Sequence, residues 1–151
     1  MGEFSIVQFS SAFIILFAII DITGSIPIIL SLKSKGVDIN PVKTSSVALG
    51  IMILFLFLGE RIMSLFHVDI ESFAVAGAFV LFIMSLEMIL DVEIFRNNTP
   101  KNIGAIVPIA FPLVAGPGSF TAMISLRAEF DTINIFFALI ANLLFVFVVL
   151  K

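Results

Sequence analysis

The sequence predicts an all-α protein, a polytopic bundle of transmembrane helices. Of its 151 residues, 60% are hydrophobic, whereas a soluble domain is about 45–50% apolar. The excess lies in long runs with few charges, and the mean hydropathy is +1.23. Apolar runs of about 20 residues match the thickness of a bilayer core. Two of these runs also contain clusters of glycine, proline and hydroxyl residues, which predict interrupted helices.

Composition excludes several classes of protein. The chain has no cysteine and a single histidine, so it offers no disulfide, no thiolate nucleophile and no cluster suited to zinc. With a net charge of −3, nothing indicates a nucleic-acid partner. No catalytic triad or phosphate-binding loop is recognisable in the sequence, so we expect neither an enzyme nor a resident metal or cofactor.

The first predicted span, Phe9–Leu32, is interrupted near Asp21–Pro27. Gly24 and Pro27 belong to the two residue types that most readily interrupt a helix. A charged side chain at the bilayer centre costs at least about 2.5–3.5 kcal/mol on insertion scales, so such residues usually face a polar interior. Asp21 therefore predicts a discontinuous helix whose break forms part of a binding site.

Four further spans follow in order. They are predicted at Thr44–Phe66, Ile70–Leu90, Ile103–Leu126 and Ile133–Leu150, with loops at Lys33–Lys43, His67–Asp69, Asp91–Asn102 and Arg127–Asp131. Asn40 and Pro41 are suited to cap and start the second span. The third span has a small-residue face for close helix contact, formed by Ala74, Gly77 and Ala78. The fourth holds too many helix breakers for one regular helix, namely Pro108, Pro112, Gly116, Pro117 and Gly118.

The basic residues predict the orientation. With five spans, Arg61 and Arg127 fall on one side of the membrane. The other side holds Lys33, Lys35, Lys43, Arg96, Lys101 and Lys151. Because loops rich in Lys and Arg stay in the cytoplasm, this distribution predicts the first and third loops inside and the N-terminus outside.

The two breaker-rich stretches resemble each other. Phe17–Pro27 aligns without gaps to Phe111–Thr121, and the pairs Phe17/Phe111, Gly24/Gly118 and Ser25/Ser119 are identical. The two spans cross the membrane in opposite directions, which is the signature of an inverted-topology repeat with discontinuous first and fourth helices. We therefore predict one transmembrane domain over residues 1–151, with a three-helix repeat at 1–92 and an incomplete one at 103–151. The alignment also predicts a sixth helix that this sequence does not contain.

The breaks predict a binding site near the membrane midplane. A broken helix frees backbone N–H groups at the start of its second half, and these carry the positive end of a dipole suited to a carboxylate. The freed carbonyl groups suit a cation or an ammonium group. The candidate substrate-binding residues are Asp21, Thr23, Gly24, Ser25, Gly116, Pro117, Gly118, Ser119 and Thr121.

Each candidate also has a purely structural interpretation. Asp21 binds the substrate ammonium or a coupling proton, or it only caps the second half-helix. The Gly116–Gly118 stretch lets a carboxylate approach bare backbone, or it is a kink needed for packing. The hydroxyl groups line the cavity, or they bond back to helix carbonyls. Glu87 is expected at the membrane interface, with a proton relay as the alternative, and Glu60, Arg61 and His67 are expected to be structural.

These motifs resemble the MarC family of bacterial integral membrane proteins, which includes the SnatA-type neutral amino acid transporters. The family's Asp/Asn-Pro-x-Gly-x-x-Pro motif is matched by Asp21, Gly24 and Pro27, with Ile22 in place of the usual proline, which predicts a softer break. Its Pro-Leu-x-x-Gly-Pro-Gly motif is matched by Pro112, Leu113, Gly116, Pro117 and Gly118, and the third span resembles the family from Phe73 to Gly77.

The resemblance implies a six-span protein of the bacterial cytoplasmic membrane, with two inverted halves. It implies transport of small neutral amino acids such as alanine and glycine, coupled to a proton or Na⁺ gradient, by alternating access at the midplane site. The expected partners are the substrate, the lipid bilayer and a second copy in a homo-oligomer. Two other classes stay open: a non-transporting membrane subunit or truncated relic, and a passive channel.

Overall fold

The computed structural model describes residues 3–34, 36–90 and 106–151. Within these ranges the chain is helical and contains no strand. Six α-helices and one π-helical segment follow in order: α1 (Ile6–Ile20), α2 (Ile26–Ser34), α3 (Pro41–Leu65), α4 (Ile70–Leu90), the π segment (Ile106–Val114), α5 (Pro117–Glu129) and α6 (Thr132–Leu150). The all-α fold class is therefore confirmed.

Three of the described stretches are long and apolar enough to cross a bilayer: Pro41–Leu65, Ile109–Glu129 and Thr132–Leu150. A shorter apolar helix covers Ile6–Ile20. The second of these stretches runs through the Gly-Pro-rich break, as the sequence predicts for the fourth span. The predicted loop Asp91–Asn102 and the side chains of Ala74, Gly77 and Glu87 lie outside the described residues.

Two helix starts have local causes that the sequence shows. The Asn40 side-chain oxygen accepts a hydrogen bond from the Lys43 backbone N–H at 3.0 Å, and Pro41 takes the first helical position of α3, as predicted. Ser5 caps α1 by accepting from the Gln8 backbone N–H at 3.5 Å. These caps satisfy N–H groups that the first helical turn leaves without partners.

One predicted loop is wrong. Residues 127–129 were expected in a loop, but α5 continues to Glu129 and only residues 130 and 131 separate it from α6. Arg127 sits in the last turn of α5, where a cation interacts favourably with the helix dipole. Its guanidinium also lies 3.9 Å from the Glu60 carboxylate of α3, so both contacts favour the longer helix.

Buried asparagines hold α1 against α6. Asn134 is fully buried, and its amide nitrogen donates to the Gln8 side chain at 2.7 Å and to the Glu3 carbonyl at 3.2 Å. Its oxygen accepts from the Ser5 backbone N–H at 2.9 Å. Further along α6, Asn142 donates to the Phe13 carbonyl of α1 at 3.2 Å. Within lipid there is no hydrophobic driving force between helices, and such hydrogen bonds link them instead. Hydrogen bonds of Asn134 and Asn142 therefore hold α6 to α1 and to the residues just before it.

The cap of α4 predicts a pH effect. The Asp69 carboxylate accepts hydrogen bonds from the backbone N–H of Ser72 at 2.6 Å and from its hydroxyl at 3.0 Å. The backbone bond and then the hydroxyl bond lower the pKa of Asp69 from its ordinary value of 3.8. Because the pKa is lower in the folded state, Asp69 stabilises the fold above that ordinary value, and the contribution disappears as the pH falls through the lowered pKa.

We therefore expect Asp69→Asn to lose less thermal stability than the parent protein when both are acidified from neutral pH to below 3.8. Thermal unfolding of the two purified proteins across this pH range measures the effect. The other carboxylates titrate in both proteins, so the difference between the two curves isolates Asp69. Equal acid sensitivity would contradict this account of the cap.

Candidate substrate site at two helix breaks

The first break is built by Asp21. This residue ends α1 with left-handed backbone angles, φ 38° and ψ 52°, a conformation that Asp tolerates better than most residues because its short side chain bonds locally. One carboxylate oxygen, Oδ1, accepts from the Gly24 N–H at 3.0 Å and from the Thr23 hydroxyl at 3.2 Å. The Asp21 carbonyl accepts from the N–H of Ser25 at 3.1 Å and from its hydroxyl at 3.0 Å.

The break therefore does not depend on a proline after the aspartate. Ile22 stands at that position and is buried, so it packs into the core while Asp21 turns the chain. The softer break expected from this substitution is not what the structure shows, because residues 21–25 lie outside any helix and α2 starts only at Ile26. Asp21 therefore holds the non-helical turn that precedes α2, through the Gly24 N–H, rather than the first turn of α2 itself.

Gly24 allows the Asp21 carboxylate to fold back over the turn. A Cβ atom at this position would collide with that carboxylate, with Cγ only 2.8 Å away. Oδ1 is occupied by the two bonds just described. The other oxygen, Oδ2, accepts no hydrogen bond from any residue that the structure describes. One carboxylate oxygen of Asp21 therefore has no hydrogen-bond donor among the described residues.

The second break separates the π segment from α5. The Ala115 N–H closes the π segment by donating to the Ala110 carbonyl at 3.0 Å. Gly116 then takes an extended conformation, with ψ 178°. A Cβ atom on Gly116 would collide with the carbonyl oxygen of Pro112 and lie 3.1 Å from its carbonyl carbon. Only glycine allows the backbone to approach itself so closely at this point.

The N-terminus of α5 has no side-chain cap. Pro117 occupies the first position of the helix and is buried, and the first backbone bond runs from the Phe120 N–H to the Gly116 carbonyl at 3.0 Å. The N–H groups of Gly118 and Ser119 therefore have no acceptor within their helix. The two breaks thus differ: the Asp21 carboxylate bonds the turn that precedes α2, whereas no side chain caps the start of α5, where the helix dipole favours an anion.

The hydroxyl groups of both breaks donate to nearby chain atoms. Thr23 and Ser25 donate to Asp21, as described above. Ser119 donates to the Val114 carbonyl at 2.7 Å, and Thr121 donates to the Gly118 carbonyl at 2.9 Å. The four hydroxyl groups therefore donate to oxygen atoms of the chain, as the structural interpretation predicts. Because each hydroxyl has one proton, it could only accept a hydrogen bond from another group.

The two breaks lie side by side. A Cβ atom built on Gly118 would meet the Cγ2 atom of Ile19 at 3.6 Å, so the first turn of α5 packs on the last turn of α1. Ile19 lies two residues before Asp21 in the sequence. An unshared carboxylate oxygen and an open helix N-terminus are thus carried by neighbouring elements. In this chain Asp21, Thr23, Gly24 and Gly118 are exposed.

Sequence reasoning located both breaks but missed how they differ. The left-handed Asp21 and its bonds to Thr23 and Gly24 form the first break, whereas the second break has no side-chain cap. The contact between Ile19 and Gly118 also has no signature in the sequence, because it joins distant segments. Among the described residues, no group of three or more His, Asp or Glu side chains is placed to hold a metal ion.

The fold and these breaks define a class of protein: an integral membrane protein with two interrupted helices that meet. The chain belongs to the MarC family of integral membrane proteins, and the match covers residues 6–151.

Several proteins named as membrane proteins are similar to this chain. A UPF0056 membrane protein of Methanocaldococcus jannaschii is 32% identical over 94% of this chain and 73% of its own length. One of Archaeoglobus fulgidus is 35% identical over 80% of this chain and 62% of its own. UPF0056 membrane protein YhcE of Escherichia coli K12 is 33% identical over 83% of this chain and 64% of its own. The chain therefore spans about two thirds of the length of these relatives. No solved structure matches it.

Proposed function

We propose that this protein is a secondary transporter that moves small neutral amino acids of the alanine and glycine class across the cytoplasmic membrane. The observation that carries the proposal is the contact between the two helix breaks. Ile19, two residues before Asp21, packs against Gly118 in the uncapped first turn of α5, which supports a site shared by the two breaks. Discontinuous helices that meet inside the membrane are a recurrent way of building transporter binding sites.

The proposed substrate pose follows from charge. The ammonium group of an amino acid would bind Asp21 Oδ2, and its carboxylate would bind the N–H groups of Gly118 and Ser119. Each substrate charge then has one opposite partner, which favours a molecule with no net charge. The lack of a side chain at Gly118 lets a carboxylate reach the backbone.

Transport would proceed by alternating access, with the site exposed first to one side of the membrane and then to the other. We further propose the inverted-repeat relation of the two halves, coupling to a proton or Na⁺ gradient, and a location in the bacterial inner membrane.

The direct test is uptake and counterflow of labelled alanine and glycine in proteoliposomes. Two proteins are compared in the same lipid: this 151-residue chain and a full-length relative. Saturable transport that excess unlabelled alanine blocks is the expected result. If the longer protein neither transports nor binds any small amino acid, the proposal is wrong and a non-transporting subunit becomes the better interpretation.

The proposed orientation, with the N-terminus outside, has its own test. His67 lies exposed in the turn between α3 and α4, and the chain has no cysteine. A His67→Cys variant is expected to react with a membrane-impermeant thiol reagent added to intact spheroplasts. A variant that reacts only after the membrane is made permeable would reverse the orientation.

A further inference from the structure

A cavity of about 600 Å³ opens beside the turn between α3 and α4. Residues of three helices line it, among them Glu60, Met63, Ser64, Asp69, Glu71 and Ile124. Three of these carry carboxylates, and the Arg127 guanidinium lies 3.9 Å from the Glu60 carboxylate. The cavity reaches α5 at Ile124, about two helical turns beyond the break at Gly116.

Three phenylalanine rings cluster around Phe120, which lies on α5 between the second break and Ile124 of the cavity lining. Phe120 follows Gly116 by one turn of α5 and precedes Ile124 by another. Its ring stacks on that of Phe55 of α3, with centroids 3.8 Å apart and planes 3° from parallel. The Phe73 ring of α4 lies 6.0 Å from Phe120 and 6.2 Å from Phe55. We call these three rings the Phe plug; at its centre, Phe120 is only 1% exposed.

The cavity side of the plug is closely packed. A Cβ atom on Gly59 would lie 3.4 Å from the Phe55 ring and 3.8 Å from the Ile124 side chain. Both distances are ordinary van der Waals contacts, so Gly59 packs directly beside Phe55 and Ile124. The 3.8 Å separation of the stacked Phe55 and Phe120 rings leaves no room for a water molecule between them.

The contacts of α5 differ in kind from those of α1 and α6. Buried hydrogen bonds of Asn134 and Asn142 lock α1 to α6, whereas α5 meets α3 and α4 through rings and one ion pair. Glu60 in that pair is 59% exposed, and exposed ion pairs contribute little to stability. Ring contacts depend on dispersion and burial and require no fixed partner atom. Among the described residues, no side-chain hydrogen bond crosses the interface of α5 with α3 and α4, so this interface can separate without breaking one.

We propose that the Phe plug is the gate of a translocation path that runs between α3, α4 and α5, from the cavity to the second break. This inference rests on the proposed transport function and adds the route to the site. The structure is then the state closed on the side of the α3–α4 turn. The carboxylates of Glu60, Asp69 and Glu71 give the cavity a charge that attracts the ammonium group of an approaching substrate.

Cysteine accessibility tests the gate without any transport measurement. The chain has no native cysteine, so two matched reporters suffice. Ser64→Cys lies in the cavity lining, and Ser119→Cys lies beyond the plug, at a position only 3% exposed. A cationic, membrane-impermeant methanethiosulfonate reagent is added to the side of the membrane from which His67→Cys reacts.

We expect Ser64→Cys to react and Ser119→Cys to be protected. Adding Phe55→Ala is expected to raise the labelling rate of Ser119→Cys about tenfold or more, since removing a ring lowers the free energy of local opening. The control is Phe57→Ala, on the same helix. Phe57 is 51% exposed and meets Phe136 at a ring distance of 6.4 Å, away from the plug, so this control is expected to leave the rate unchanged.

Three results would overturn the gate. They are fast labelling of Ser119→Cys in the unaltered background, an equal effect of Phe57→Ala, and no increase with Phe55→Ala in protein that elutes as the parent does. If Phe55→Ala does not fold, Phe73→Ala replaces it, because that ring lies at the edge of the plug and only half-buried. The labelling pattern supports or refutes the gate whether or not the transport assay succeeds, so the two proposals fail separately.

Discussion

Asp21→Asn is expected to lower the transport of alanine and glycine by about tenfold to a hundredfold, because a hydrogen bond to a charged group is lost at the substrate ammonium. The proposed pose uses Asp21 Oδ2, the oxygen that accepts no bond from the described residues. Asparagine places an uncharged amide there. The measurement is the initial rate of uptake in proteoliposomes, normalised to the amount of reconstituted protein.

This substitution separates the two roles of Asp21. Asparagine adopts left-handed backbone angles and caps helix N-termini about as well as aspartate does. Its side-chain oxygen can still accept from the Gly24 N–H and the Thr23 hydroxyl. If Asp21 serves only as a cap, the variant should therefore fold and transport like the parent.

Two controls complete the test. Asp38→Asn removes a carboxylate from an exposed loop and is expected to leave uptake unchanged. Asp21→Ala removes both the charge and the cap, so it is expected to lose thermal stability as well as transport. Full activity of Asp21→Asn would contradict the proposed site while leaving the observed capping role intact.

The helices and the breaks could be predicted because their causes are local in the sequence. Hydropathy over about 20 residues locates the spans, and α4 begins at the predicted residue, Ile70. The second break also has local causes: Gly116 lies against the Pro112 carbonyl, and Pro117 takes the first position of α5. Asn40 and Pro41 likewise define the start of α3 within one turn.

The properties of the site depend on contacts that the sequence does not display. The asymmetry of the breaks comes from the backbone conformation of Asp21, which a charge pattern does not reveal. The sequence does not show what Asn134 and Asn142 bind, because their partners lie in and just before α1, more than 120 residues away. The stack of Phe55 on Phe120 joins distant segments in a chain with 18 phenylalanines, so the sequence cannot single out that pair.

Gly116→Ala is expected to be the most damaging small substitution in the second break. The added methyl group would overlap the Pro112 carbonyl, which is backbone and cannot swing aside as a side chain does. Overpacking of this kind costs about 1–3 kcal/mol. We expect a lower unfolding temperature, a smaller yield of monodisperse protein, and loss of transport in what remains, because the start of α5 must shift.

Neighbouring glycines make this prediction specific. A methyl group at Gly118 would make only ordinary contact with Ile19, and one at Gly50 of α3 would meet no atom within 4 Å. Gly50→Ala is therefore expected to raise thermal stability slightly, since alanine is the better helix former. Gly118→Ala is expected to fold like the parent yet transport more slowly, because its methyl group stands where the substrate carboxylate approaches the backbone. If Gly116→Ala were as stable as Gly118→Ala, the close approach of the chain at Pro112 would not be what requires glycine, and the second break would need another physical cause.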